Sequence, residues 1–73
     1  MNMYNTFVLT LNEENINISL LFELKKIFLS YPGDEKVCLK IIEKNTGNFK
    51  FLELVSLKVN PSISMFTEIL YKI

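Results

Sequence analysis

Two apolar rhythms alternate along this chain, and their order leaves few folds open. The first has period two. Phe7, Leu9 and Leu11 alternate with Thr6, Val8 and Thr10, which predicts a strand over residues 5–11. The polar run Asn12-Glu13-Glu14-Asn15 breaks it. A helical rhythm of about 3.6 residues then runs from Asn17 to Ser30. Leu20, Leu24, Ile27, Phe28 and Tyr31 line its apolar face, and Ser19, Glu23, Lys26 and Ser30 its polar one. Asn17 or Ser19 is placed to cap it, by accepting a bond from a free N–H of the first turn. Tyr31-Pro32-Gly33-Asp34 ends it, because Pro32 lacks an N–H and disfavours helical geometry at Tyr31. Pro followed by Gly suits a type II turn, in which the glycine takes positive φ.

Period two returns with Val37, Leu39 and Ile41 alternating with Cys38, Lys40 and Ile42, a strand over residues 36–44. Asn45-Thr46-Gly47-Asn48 makes a hairpin turn. The return strand opens with Phe49 and Phe51 on one face and then changes phase. Leu52 and Leu54 are apolar in the even register, and Val55, Leu57 and Val59 resume the odd one. Such a slip predicts a bulge or bend near residues 52–55. Asn60-Pro61 opens a second helix, with Asn60 as N-cap and Pro61 in the first turn. Ile63, Phe66, Ile69 or Leu70, and Ile73 form its expected buried stripe, opposite Ser64, Glu68 and Lys72.

The order is therefore β-α-β-β(-β)-α, within one small domain over residues 1–73. A strand–helix–strand opening favours parallel pairing of the first two strands, to which the hairpin adds an antiparallel neighbour. The expected class is α+β: a two-layer mixed sheet with two helices on one face, ferredoxin-like but lacking a final strand. The other sheet face stays uncovered. Val8, Cys38, Ile42 and Leu52 or Leu54 are assigned to it as a docking surface.

Composition narrows function more by exclusion than by indication. The 73 residues carry eight Lys and no Arg against eight acids, and no His. Without His, the side chain most used for proton transfer near neutral pH and the commonest metal ligand is missing. Cys38 lies mid-strand and reads as a small apolar side chain, so no catalytic residue is expected. Glu13-Glu14 and Asp34-Glu35 are acidic pairs in turns without a third ligand, and neither Gly33 nor Gly47 belongs to a phosphate loop. No cofactor or metal is expected. One cysteine cannot form an internal disulfide, Met1 to Asn5 lacks the basic start of a secretory leader, and no apolar run approaches the ~18 residues of a membrane span. These features read as cytoplasmic, with no membrane partner.

Lys40, Lys44, Lys50 and Lys58 on the hairpin strands are the candidate nucleic-acid contacts. Phe49 and Phe51 fall in the opposite phase to Lys50 and are expected to enter the core, which leaves nucleic acid a secondary reading. Lysines on strands also guard edges against pairing. A ligand-binding regulatory domain is a further alternative, resting on the fold alone.

The stretch Leu21 to Ile41, in which Leu21-Phe22-Glu23-Leu24-Lys25-Lys26-Ile27-Phe28-Leu29 runs into Tyr31-Pro32-Gly33-Asp34-Glu35-Lys36-Val37-Cys38-Leu39-Lys40-Ile41, resembles a segment near the C-terminus of the α subunit of bacterial DNA polymerase III. Phe7 to Leu11 before it, and Leu57 to Ser62 with the apolar helix beyond, fit the same region, so the likeness covers about Phe7 to Ile73. The resemblance implies a piece of a much longer DNA-directed DNA polymerase, a nucleotidyltransferase whose catalytic carboxylates lie upstream. It implies a non-catalytic role in DNA replication, docking the polymerase to replisome proteins and above all to the clamp-loader τ subunit. It assigns no τ-contacting residue.

Overall fold

The computed structural model describes residues 6–73. Asn5, placed by periodicity at the start of the first strand, lies outside the described residues, as does the Met1–Tyr4 stretch read for a leader. The elements are β1 (Thr6–Asn12), a 3-10 turn (Glu13–Asn15), α1 (Ile18–Ser30), β2 (Pro32–Ile42), β3 (Phe49–Val59) and α2 (Ile63–Lys72). They build a two-layer α+β fold, with a three-stranded mixed sheet in the order β1-β2-β3. β1 runs parallel to β2, from Thr6 opposite Lys36 to Asn12 opposite Ile42. β3 returns antiparallel on the other side of β2. The two parallel strands are direct neighbours, whereas a ferredoxin-like sheet carries an antiparallel strand between them.

One face of the sheet is buried under both helices. Leu9, Leu11, Val37, Leu39, Ile41 and Val59 project from it against Leu20, Leu24, Ile27 and Phe28 of α1 and Met65 and Ile69 of α2. Phe7 seals the margin, meeting the Phe28 ring edge-on at 6.2 Å and that of Phe66 at 6.1 Å. The side chain of Asn17 caps α1, accepting from the Leu20 N–H at 2.8 Å. Glu23 pairs with Lys26 of its own helix at 3.2 Å and ties α1 to α2 through Lys72 at 3.5 Å. The Tyr31 hydroxyl donates to the Glu68 carboxylate, a second link between the end of α1 and α2.

Three local expectations are corrected. The second strand begins at Pro32, so Pro32-Gly33 is part of β2, and Gly47, at φ +73°, is the glycine with positive φ. Pro is tolerated there because a strand's first residue can forgo a ladder donor. Gly33 is needed for space: a Cβ on it would lie 2.5 Å from the backbone nitrogen of Asn60. That nitrogen donates to the Tyr31 carbonyl at 2.8 Å, which holds Asn60 in the strand junction, two residues ahead of the cap position of a helix that starts at Ile63. Ser62 caps α2 instead, its hydroxyl accepting from the Met65 N–H at 3.1 Å. Finally, α2 buries Met65 and Ile69, while Ile63, Phe66, Leu70 and Ile73 face outward. Apolar residues occupy two flanks of α2, so periodicity cannot choose between them; packing against α1 and the sheet does.

Candidate binding surface

The face of the sheet turned away from the helices is built by alternation on β1 and β2 and by register on β3. Its rows read Asn12–Ile42–Phe49, Thr10–Lys40–Phe51, Val8–Cys38–Glu53 and Thr6–Lys36–Lys58. Between the last two rows β2 advances by two residues and β3 by five, so residues 54–57 bulge out of the ladder. This is the phase change seen in the apolar pattern. Before the bulge the even residues of β3 face the helices; after it, Leu57 and Val59 do.

That phase overturns the expectation that Phe49 and Phe51 enter the core. Opposite Ile42 and Lys40, they stand on the open face, 54% and 58% exposed. Their rings meet edge-on at 5.5 Å, and the Lys40 ammonium sits over the Phe49 ring, 4.4 Å from its centroid. A cation at that distance is attracted by the ring's negative face, which holds both side chains in place. The same phase moves Leu52 and Leu54 off the open face. They turn to the helix side and line a cleft with Leu21, Leu24 and Phe28. Val8, Cys38 and Ile42 lie on the open face, Val8 exposed and the other two half-buried.

The four candidate lysines do not act together. Lys40 and Lys58 share the open face, but Lys50, opposite buried Ile41, projects on the helix side. Lys44 lies in the hairpin turn, its ammonium 3.9 Å from Glu14 and its N–H donating to Glu13. Lys36, at the expected start of the second strand, joins Lys40 and Lys58 on this face and stands opposite Lys58. Its even phase, shared with Cys38 and Lys40, is the signal that assigns it to the open face.

Chain-wide neutrality therefore conceals a local imbalance. The open face carries three ammonium groups, Lys36, Lys40 and Lys58, against the carboxylate of Glu53 in the paired rows and that of Asp34, two residues before Lys36 at the start of β2. Between them lie two exposed rings and the small side chains of Thr6, Val8 and Thr10. Such a surface can stack planar groups and neutralise an anionic backbone.

Groups of other chemistry are sparse among the described residues. There is no cluster of three or more His, Cys, Asp or Glu, and no charged side chain is buried. The two perturbed titrating groups, Glu23 and Tyr31, lie on the helix side of the molecule. Lys26 holds the Glu23 carboxyl below its ordinary value, with Lys72 helping, and the bond to Glu68 raises the Tyr31 hydroxyl above its own. No helix among the described residues is long and apolar enough to cross a membrane. Comparison with known proteins matches the chain to no family model, no curated protein and no solved structure.

Proposed function

We propose that this chain is a non-catalytic module that binds single-stranded nucleic acid across the open face of its sheet. The observation that carries the reading is the placement of Phe49 and Phe51, exposed together beside Lys40 on a face with an excess of lysines. Rings exposed on a sheet are costly to leave in water. They become useful when bases stack on them, at about 1–3 kcal/mol per base. Lys36, Lys40 and Lys58 supply point charges for phosphates, without the planar fork that Arg brings to base edges. Binding through shape and charge, with little sequence preference, follows from that inventory. The single free cysteine goes with a reducing, cytoplasmic setting.

Fluorescence titration of a labelled oligothymidylate at two salt concentrations tests the reading. Three phosphate contacts predict a log–log salt slope of about −2. Replacing Phe51 by Ala should weaken binding about 5- to 100-fold, and Lys50→Ala, on the other face, should change it little. Absence of binding at low salt, or binding indifferent to Phe51, refutes it.

A second reading is docking within the replisome, as the likeness to the polymerase III α subunit implies. Phe22 and Leu29 favour it, because both are exposed on α1 inside the segment that carries the likeness. Capture of the matching clamp-loader τ subunit, lost in Phe22→Glu, supports this role; no capture by the folded domain counts against it.

A further inference from the structure

The two edges of the sheet are built differently. β3 forms one edge, and it is guarded: Lys50, Glu53 and Lys58 lie along it, and the bulge at residues 54–57 breaks its line. Those are the usual devices against pairing with another chain. β1 forms the other edge. Its sequence from Thr6 to Asn12 holds no charge, no proline and no glycine, and its pairing with β2 runs without a register shift. Among the described residues nothing pairs with its outer side.

The outer flank of α2 adjoins that edge. Glu68 and Lys72 reach toward α1, whereas Phe66 packs on Phe7 of β1. The apolar stripe of α2 therefore lies over the edge side of the molecule. Ile63 is 87% exposed, Phe66 51%, Leu70 66% and Ile73 54%. At roughly 150–200 Å² for a fully exposed side chain of this size, the stripe offers on the order of 450 Å². The free strand edge adds to that, against roughly 800 Å² per partner in a standard interface.

We infer that this edge and stripe form a two-fold interface between two copies of the chain. β1 pairs antiparallel with β1 of the second copy, joining the sheets into one of six strands, and the α2 helices meet above it. Absence of charge favours a second copy as the partner. A two-fold contact sets each patch against itself, so any charge on it faces its own kind. No side chain of the strand edge or of the stripe carries one. The inference is independent of nucleic-acid binding, since the open sheet face is a different surface and stays free in the dimer.

Sedimentation equilibrium of the full chain over a range of concentrations tests this directly. The expected species has twice the 8.5 kDa chain mass. Leu70→Glu and Ile63→Glu should each raise the dissociation constant at least ~10-fold, since each sets two carboxylates into an apolar contact. Phe22→Glu, on α1, should leave the dimer intact. Circular dichroism establishes that each variant is folded. In the wild type, amide exchange in β1 should slow as concentration rises, a readout that needs no variant. A monomer at every concentration overturns the inference and leaves the edge to a different protein. A dimer that survives Leu70→Glu but is split by Phe51→Glu overturns it too, by moving the contact to the open face.

Discussion

Two glycines show how differently one residue type constrains a chain. At Gly33 an added methyl would sit 2.5–2.6 Å from atoms of Val59 and Asn60, two of them backbone. Neither can withdraw without opening the junction that Asn60 makes with Tyr31. Gly47 has open space around it but holds φ at +73° in the hairpin turn. Gly33→Ala should thus cost about 3 kcal/mol as overpacking against backbone, and Gly47→Ala only about 1 kcal/mol as left-handed strain. Urea unfolding of the two variants measures this; equal losses would show that Gly33 is not held by the close approach. At Gly33, proline as neighbour suggested turn chemistry. The actual requirement comes from residues 26 and 27 positions further on, beyond the reach of local pattern.

Elements were legible where one unbroken apolar period marked the buried face. β1 and α1 are legible because Phe7, Leu9 and Leu11 recur at period two, and Leu20, Leu24, Ile27 and Phe28 recur at helical spacing beside the polar stripe of Ser19, Glu23, Lys26 and Ser30. β3 and α2 are apolar on two sides. The apolar pattern shows the slip in β3 but not which half turns inward, so Phe49 and Phe51 read as core residues although they stand on the open face. Caps follow the same logic. Asn60 and Ser62 are both good N-cap residues, and the choice falls to Ser62 because the Asn60 bond to Tyr31 delays the helix until Ile63. Ser62→Ala should therefore destabilise by about 1 kcal/mol. Asn60→Ala should cost much less, since its backbone N–H, which makes that bond, survives; urea midpoints compare them.

Glu23, which pairs with Lys26 on its own helix and reaches Lys72 of α2, is an element-scale feature that titrates. Glu23 lies below its ordinary pKa of 4.5, chiefly through Lys26. Its folded-state pKa is thus lower than its unfolded one, so its contribution is present above the unfolded value and lost as pH falls through the folded one. Glu23→Gln should lower the urea midpoint slightly near neutral pH, with the gap closing below about pH 4. A gap that persisted in acid would mean that the carboxylate's charge is not what stabilises.

For the molecule as a whole, the fold is asymmetric by layer. Both helices cover one side, and the other carries two rings and three lysines in a chain whose total charge is zero. The fold class followed from element order, because strand–helix–strand then hairpin has few compact solutions. The site did not follow, because it depends on the phase of β3, which the hairpin turn sets. The most direct test is backbone NMR of the chain titrated with a short oligothymidylate. Amide shifts should move at Thr10, Lys40, Phe49 and Phe51, and those of α1 and α2 should stay in place. Shifts confined to the helices, or none at all at low salt, would contradict the open face as the binding surface.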